Sequence, residues 1–478
     1  MIPKVEKMAT VPFWRPLPVN PDPPALLTAL GGPERDYAFL LESALGQPSR
    51  LNRYSFLGVE PFLILRSKGR QVEILRDGQW EIFNSNPFTL LQQLLQAHRA
   101  APPEKTASLP PFCGGAVGYL AYDLGRQIER LPAKACDDLG LPELYLCFYD
   151  LVVAIDHLTG SVTLCGLPVR GAASRAEKAR RWESLLQRGA LQPPPPEEIL
   201  RRGSLPPLPA LAEHFTRESY AAAVARAREY IAAGDIFEVN LSQRFAAPLQ
   251  GTAWELYRRL RRLNPAPFAA YLRFPEVEVV SASPERFLKV EAGRVETRPI
   301  KGTRPRGATP EEDARLRQEL WESEKDRAEL TMIIDLERND LGRVCRVGSV
   351  KVPELYVLEE YATVFHLVST ITGELAPGKD VVDLILSTFP GGSITGAPKI
   401  RAMEIIDELE PVRRSIYCGS IGWLGFQGDA DLNIVIRTFI VKDGRVYFQT
   451  GGAVTGDSDP EKEYLETLAK ARGLYSAL

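Results

Sequence analysis

The sequence predicts an α+β fold with mainly antiparallel sheets. β-Prone segments follow one another without intervening helices, and short turn signals join several of them. The helical segments do not alternate regularly with strands, as a doubly wound parallel sheet requires. The 478 residues are enough to bury a large core.

Two antiparallel hairpins are predicted in the N-terminal part of the chain. Residues 61–83 contain alternating apolar positions, with the turn signal Asp77-Gly78 between two runs. Residues 145–166 contain β-prone runs on either side of Thr159-Gly160. Both patterns are typical of a strand that turns back on itself.

A proline-rich stretch divides the chain. Proline lacks a backbone donor and disfavours helix interiors and central strands, so residues 191–209 predict a surface linker. It separates an N-terminal region, residues 1–190, from a C-terminal region, residues 210–478. The two regions are compatible with packing as one unit.

The C-terminal region mixes helices and strands. Residues 217–235 have apolar positions at helical spacing, and Gly234 stands where a glycine often ends a helix. A strand is predicted directly afterwards, over 236–245. Further on we expect one long acidic helix over 311–341, a strand over 433–441 and a final helix over 460–477.

Composition argues against several classes of function. The formal net charge is −3, from 58 basic and 61 acidic side chains, which gives no general field for binding nucleic acid or an anionic membrane. The six cysteines include no CxxC pair and the four histidines no HxxxH spacing, which argues against disulfides and a histidine-built metal site. No secretory leader or membrane-spanning run is recognised. We expect a cytoplasmic protein.

Two helical segments present paired carboxylates. Glu463, Glu466 and Lys470 share one helix face at spacings of three and four residues, and Asp326 and Glu329 do the same on a second helix. A solvated face with surface ion pairs is one interpretation. A Mg²⁺ site is the other, because this ion prefers carboxylate oxygens.

A glycine-rich segment, residues 389–400, runs into a predicted helix. Backbone N–H groups at a helix N-terminus attract anions, and Pro398 suits the first helical position with Lys399 next to it. The segment therefore fits a phosphate or carboxylate site, although a plain structural turn explains the pattern equally well.

Lys301 stands among several arginines, between Ile300 and Gly302. Such charge runs are usually solvated. If Lys301 is partly desolvated instead, its pKa is expected to fall, which frees a nucleophilic amine.

Ten segments, in their order along nearly the whole chain, resemble the chorismate-utilising enzymes, a family that includes anthranilate, aminodeoxychorismate, isochorismate and salicylate synthases. The resemblance implies two large, mainly antiparallel sheets packed face to face with helices outside. The segments are RYSFLG (53–58), GDIFEVNLSQRF (234–245), SASPERF (281–287), ETRPIKGTRPRG (296–307), DRAELTMIIDLERNDLGRV (326–344), FHLVSTITGEL (365–375), FPGGSITGAPKIRAMEIIDELEP (389–411), YCGSIGWL (417–424), DLNIVIRTF (431–439) and GGAVTGDSDPEKEYLETLAKARGL (451–474).

The position of Lys301 indicates one branch of this family. This chain reads PIKGT, as the aminodeoxychorismate synthases do, where the other members have PIAGT. The resemblance implies that Lys301 attacks C2 of chorismate with loss of the C4 hydroxyl, and that ammonia then displaces the lysine. Anthranilate synthase component I is the alternative, and a non-catalytic protein that binds chorismate or tryptophan is a second one.

The resemblance also implies roles for other residues. Glu285 is expected to protonate the departing hydroxyl, because hydroxide leaves poorly without a proton. The expected cofactor is Mg²⁺, which holds the C1 carboxylate of chorismate, and its expected ligands are Glu329, Glu466, Glu463 and Asp326. The residues expected to contact the substrate are Arg437, Tyr417, Gly419, Lys470, His366, Ser393, Glu238 and Thr303. An ordinary core histidine remains the alternative for His366.

Glu238 replaces the lysine base of the water-activating members, which argues against water as the nucleophile. No GxCxG cysteine of an amidotransferase is present, so ammonia is expected from a separate glutamine amidotransferase subunit. A tryptophan pocket is also implied by the resemblance, with an ordinary strand and turn as the alternative. Its residues are Leu41, Glu42, Ser43, Tyr54 and Ser55.

Overall fold

The computed structural model describes residues 13–45, 51–100, 109–167, 172–189, 211–361 and 364–478. The strands are β1 Phe13–Leu17, β2 Phe39–Glu42, β3 Tyr54–Gly58, β4 Leu63–Lys68, β5 Gln71–Arg76, β6 Gln79–Asn84, β7 Gly115–Leu120, β8 Leu144–Tyr149, β9 Leu151–Asp156, β10 Ser161–Gly166, β11 Ala212–Glu213, β12 Glu238–Pro248, β13 Phe268–Arg273, β14 Glu278–Ser283, β15 Arg286–Glu291, β16 Arg294–Arg298, β17 Ile300–Pro305, β18 Lys351–Glu360, β19 Val364–Glu374, β20 Gly396–Ala397, β21 Ser420–Gly425, β22 Ala430–Asn433, β23 Thr438–Lys442 and β24 Arg445–Val454.

The helices are α1 Pro23–Ala29, α2 Pro87–Ala97, α3 Ala172–Gly189, α4 Arg217–Ala232, α5 Ala253–Leu263, α6 Pro310–Glu322, α7 Glu324–Gly342, α8 Val381–Thr388, α9 Lys399–Leu409 and α10 Pro460–Tyr475. None of these helices is both long and apolar enough to cross a membrane.

Within the described residues the strands form two sheets of twelve, and neighbouring strands pair in antiparallel fashion. Sheet one has the order β1, β10, β9, β3, β2, β13, β14, β23, β24, β12 and β11, with β20 beside β12. Sheet two has the order β17, β19, β16, β15, β22, β21, β7, β8, β4, β5 and β6, with β18 beside β19. The predicted α+β class is confirmed.

The two sheets pack face to face through an aromatic layer. Phe56 of sheet one meets Trp423 of sheet two edge to face at 6.0 Å between ring centroids, and Phe274 contacts Tyr119 in the same way at 5.6 Å. Helices cover the two outer faces: α1, α3, α5 and α10 pack on sheet one, and α2, α7 and α8 on sheet two. Helix α9 packs against β12 and β20 of sheet one. Because each sheet is buried on both faces, its central strands are almost continuously apolar.

The local predictions in the N-terminal part are confirmed. Strands β5 and β6 pair across Asp77-Gly78, and β9 and β10 pair across Thr159-Gly160. The predicted linker lies outside the described residues, and the boundary between the two regions stays a prediction.

In the C-terminal region, helix α4 begins with a capping box between Thr216 and Ser219. Gly234 follows the helix with φ +81°, as the sequence predicted.

Two predicted elements are wrong in their extent. The single helix over 311–341 is two helices, because Ser323 leaves helical geometry and its side chain caps the N-terminus of α7 at Asp326 N. The single strand over 433–441 is also divided. Strand β22 ends at Asn433 in sheet two and β23 starts at Thr438 in sheet one, so residues 434–437 cross between the sheets.

Candidate active site

A cavity of about 890 Å³ lies between the two sheets and brings together most of the predicted site residues. Its walls come from β12 and β24 of sheet one, β17 and β19 of sheet two, and helices α7 and α10. The predicted residues that line it are Glu285, Lys301, Thr303, Asp326, Glu329, His366, Ser393, Tyr417, Arg437, Glu463, Glu466 and Lys470.

Lys301 points into this cavity from β17. The pairing of β17 with β19 shifts register between Lys301 and Thr303, and Gly302 between them has φ +79°. A side chain at Gly302 would meet Asp326 of α7 at 2.8 Å, so glycine permits the close approach of helix and strand. The lysine is 7% exposed, and its Nζ donates to Glu238 Oε1 at 2.6 Å.

This contact corrects the predicted pKa of Lys301. Burial alone lowers an ammonium pKa, as the sequence suggested. The carboxylates of Glu238 and Glu329 outweigh burial, so the pKa of Lys301 is raised above its ordinary value. The amine is therefore charged in this structure and must lose a proton before it can attack.

Glu285 lies in the turn between β14 and β15 and is 4% exposed. Its Oε1 accepts a hydrogen bond from Ser393 Oγ at 2.6 Å and a longer one from Ile300 N at 3.4 Å. Burial raises the pKa of Glu285 to about 7, despite the Ser393 bond that favours the charged form. Near neutral pH such a carboxyl is protonated in part and can act as an acid.

The opposite wall carries a neutral histidine beside a cation. His366 Nδ1 lies 2.9 Å from Thr303 Oγ1, and burial together with Arg437 lowers the pKa of His366 to about 3. Arg437 belongs to the crossing segment between the sheets and has φ +51°. It forms no ion pair with any carboxylate that the structure describes, so this buried guanidinium can receive an anionic substrate group.

Helix α10 contributes acidic groups. Asp459 caps its first turn and Pro460 is its first residue. The helix presents Glu463 and Glu466 toward β24. A side chain at Gly452 of β24 would lie 3.2 Å from Glu466 Oε1 and 3.3 Å from Glu463 Oε2, so glycine leaves room for both carboxylates.

These two carboxylates have different neighbours, and their pKa values shift in opposite directions. Lys470 Nζ binds Glu466 Oε1 at 2.7 Å, and this ion pair lowers the pKa of Glu466 although partial burial opposes it. Burial raises the pKa of Glu463, which accepts a hydrogen bond from Ser458.

Helix α7 faces α10 across the cavity with Asp326 and Glu329. Burial raises the pKa of Glu329 to about 7, and the nearby carboxylates of Glu238 and Asp326 add to this effect. Lys325 lies 3.8 Å from Glu329, lines the cavity, and was missed by sequence reasoning. Its position four residues before Glu329 on one helix was the available signal.

The four carboxylates fit a divalent cation in their chemistry. Hard oxygen donors suit Mg²⁺, and because burial raises the pKa of Glu329 and of Glu463, a bound cation would favour their charged forms. Among the residues that the structure describes, however, no three acidic, histidine or cysteine side chains are already gathered as metal ligands.

The profile of the family described as "chorismate binding enzyme" matches residues 39–476. The chain belongs to the chorismate-binding enzyme family. It is 44% identical to anthranilate synthase component 1 of Thermus thermophilus over 446 residues, which covers 92% of each protein. It is 42% identical to aminodeoxychorismate synthase component 1 of Klebsiella aerogenes over 446 residues, 92% of this chain and 94% of that protein.

Solved structures agree with this membership. Anthranilate synthase component I from Streptococcus pneumoniae TIGR4 superposes with a TM-score of 0.76 at 32% identity, and the match covers 90% of this chain and 93% of that one. The protein is thus a chorismate-binding enzyme, and relatives of two activities resemble it to a similar degree.

Three predicted contacts of this chorismate-binding enzyme are not found in its structure. Glu238 is fully buried and does not line the cavity. Gly419 does not line the cavity, and its N–H already donates to Ile416 O at 3.0 Å. Pro398 is the N-cap of α9 and not its first residue. Lys399 binds Asp340 of α7 and Thr388 O, so it does not serve an anion in the cavity.

A second cavity of about 1290 Å³ shares no lining residue with the first. Leu41, Glu42, Ser43 and Tyr54 line it, whereas Ser55 lies behind the wall with its Oγ 2.6 Å from His157 Nε2. The carboxylate of Glu42 already binds Tyr257 and Arg261. Tryptophan binding in this cavity stays a prediction.

Proposed function

We propose that the protein is component I of aminodeoxychorismate synthase and converts chorismate and ammonia to 4-amino-4-deoxychorismate. One observation carries this proposal: a buried primary amine, Lys301, faces a cavity that also holds the partly protonated Glu285. Relatives named aminodeoxychorismate synthase component 1, among them those of Klebsiella aerogenes and Bacillus subtilis, support it.

The first half of the reaction needs a nucleophile and an acid. Nζ of Lys301 forms a bond to C2 of the ring, the ring double bond shifts, and the C4–O bond breaks. Glu285 gives its proton to the departing hydroxyl, which leaves as water. The pKa of about 7 suits Glu285 to this task near neutral pH.

The second half releases the lysine. Ammonia forms a bond to C4, the double bond shifts back, and the bond between C2 and Nζ breaks. Two successive displacements place the amino group where the hydroxyl was, with retention at C4. The new ammonium at C4 returns a proton to Glu285, so protons balance over the cycle.

Substrate is held by charge on both sides of the cavity. Arg437 and the Tyr417 hydroxyl are proposed to bind the enolpyruvyl carboxylate, because both residues line the cavity and a guanidinium fork matches a carboxylate. Glu329, Glu466, Glu463 and Asp326 would hold Mg²⁺, which supplies positive charge for the ring carboxylate when bound.

Ammonia is proposed to come from a separate glutamine amidotransferase. The component 1 names of the relatives support a multi-subunit enzyme.

Anthranilate synthesis is the second candidate function. Relatives of that name from Thermus thermophilus and Cereibacter sphaeroides are 44% and 40% identical to this chain. An assay of purified protein with chorismate, Mg²⁺ and ammonium salt at alkaline pH separates the candidates. Fluorescent anthranilate released with pyruvate would overturn the proposal, whereas 4-aminobenzoate formed only after a lyase is added would support it.

A lysine variant tests the covalent step. Lys301→Ala removes the nucleophile but leaves Arg437 and the carboxylates in place, so chorismate should still bind. We expect the rate of aminodeoxychorismate formation to fall by about 10³-fold or more. The control variant Lys442→Ala, whose side chain pairs with Asp443 and does not line the cavity, should keep the wild-type rate. Wild-type turnover by Lys301→Ala would show that the lysine is not the nucleophile.

A further inference from the structure

Glu238 is a buried carboxylate for which the reaction above has no use. It begins β12, where its backbone pairs with Ala397 of β20, and it is fully buried. Side chains alternate along a strand, so Glu238 shares a face of β12 with Asn240 and Ser242, which line the cavity, while Val239 enters the core. The carboxylate of Glu238 therefore approaches Lys301 from the side of sheet one.

The carboxylate of Glu238 contacts the nucleophilic nitrogen of the proposed reaction, Lys301 Nζ. Its Oε1 accepts a hydrogen bond from Lys301 Nζ at 2.6 Å and a longer one from Asn240 Nδ2 at 3.4 Å. Its Oε2 is buried and has no partner among the described residues. Glu238 is also the only carboxylate that the described chain places within 4.0 Å of the lysine amine. The contact joins sheet one to sheet two across the cavity.

Other charges near the lysine are more distant. Glu285 faces it from the turn after β14, Glu329 from α7 and Glu466 from α10, and all three favour its charged form. None of them forms an ion pair with it. Among the described carboxylates, a proton that leaves Nζ therefore has Glu238 as its nearest acceptor.

We propose that Glu238 accepts the proton that Lys301 must lose before it attacks chorismate, and returns it when the lysine is released. This inference rests on the proposed function, because it needs Lys301 as the nucleophile. Before attack, the proton moves from Nζ to the carboxylate, leaving a neutral amine beside a neutral acid. After ammonia has displaced the lysine as a neutral amine, the proton returns to Nζ and restores the ion pair.

Burial makes this transfer feasible. In water, the ion pair is strongly favoured because both charges are hydrated. Inside the protein the two groups have lost that hydration, so the neutral pair comes closer in free energy to the charged pair. The short contact lets the proton move without rearrangement of either side chain.

The experiment measures the covalent adduct itself. Each enzyme variant is mixed with chorismate and Mg²⁺ without ammonia, quenched at intervals, and its intact mass is followed for addition of chorismate less water. We compare wild type, Glu238→Gln, Glu238→Asp and the remote control Glu374→Gln, whose carboxylate pairs with Arg346. The rate of adduct formation is recorded between pH 6 and pH 9.

Wild type and Glu374→Gln should form adduct with the same pH profile, in which the rate falls at alkaline pH as Glu285 loses its proton. Glu238→Gln should be about 10²-fold slower than wild type at pH 7, and this deficit should shrink as pH rises, because solvent then removes the proton from Lys301. Glu238→Asp should retain part of the rate, with the same pH profile as wild type.

Two results would overturn the role of Glu238. One is wild-type adduct formation by Glu238→Gln at pH 7, and the other is a slow rate in that variant whose deficit relative to wild type stays the same at alkaline pH. If wild type itself forms neither adduct nor aminodeoxychorismate, the proposed function has failed, and the inference fails with it.

Discussion

Single side chains in the cavity owe their chemistry to neighbours from other elements. Glu285 has a raised pKa because it is buried, yet Ser393 holds that pKa down by donating to the charged form. The two residues are 108 positions apart and meet only in the folded chain. The acid strength of Glu285 is therefore a property of the contact and not of the residue alone.

Removal of this contact should change the pH dependence of turnover. Ser393→Ala removes a hydrogen bond that stabilises the carboxylate, so the pKa of Glu285 rises further. Activity that needs protonated Glu285 is lost as pH rises through that pKa. We expect the alkaline limb of kcat/KM for chorismate to move upward by about one pH unit, since a hydrogen bond to a charge contributes about 1.5 kcal/mol.

Ser387→Ala is the control for this shift, because Ser387 Oγ donates to Leu384 O in α8 and does not line the cavity. Its profile should match wild type. An alkaline limb that does not move in Ser393→Ala would show that Glu285 does not limit the rate as an acid.

The sequence predicted which residues line the cavity better than it predicted their pKa values. The motifs around Glu285, Glu329 and Glu466 predicted which side chains the fold would bring to one cavity. The raised pKa of Lys301 was not predictable, because its partner Glu238 comes from a different sheet and lies 63 residues earlier. Gly419 was expected to donate to substrate, but a bond to Ile416 O uses its N–H.

The ends of helices and strands were predictable where neighbouring residues in the sequence determine them. The glycine turns and the end of α4 at Gly234 were predicted from neighbouring residues alone. The break between α6 and α7 lies at Ser323, inside a segment that reads as continuous helix. Helix α7 packs against Gly302 of β17. The pattern of residues 311–341 does not show this long-range contact.

Two glycines at helix ends allow a matched test of backbone conformation. Gly234 has φ +81°, whereas Gly342 is the last residue of α7 without a positive φ, and an added Cβ would meet nothing within 4 Å at either position. Gly234→Ala should lower the free energy of unfolding by about 1 kcal/mol, because an L-residue is strained there. Gly342→Ala should raise it by about 0.5 kcal/mol by restricting the unfolded chain.

Urea denaturation of the two variants beside wild type measures both values. Equal effects of the two substitutions would contradict the assignment of a left-handed conformation to Gly234 alone.

At the scale of the whole molecule, each sheet is built from both regions of the chain. In sheet one, β2 of the N-terminal region pairs with β13 of the C-terminal region, with Leu41 opposite Ala270. In sheet two, β7 pairs with β21, with Tyr119 opposite Ile421. The aromatic layer between the sheets also takes side chains from both regions. Separation of the two regions would therefore expose strand edges and core residues of both.

This interleaving predicts a single cooperative unfolding transition in spite of the length of the chain. Leu65→Ala in β4 and Leu272→Ala in β13 each remove a buried side chain, one from each region, at an expected cost of about 2 to 5 kcal/mol. Both variants should lower the midpoint of the same transition, and the calorimetric enthalpy should equal the van't Hoff enthalpy. Two transitions in differential scanning calorimetry, with each variant moving only one, would show instead that the regions fold as separate domains. The walls of the cavity would then belong to one of these domains, because every residue that lines it comes from the C-terminal region.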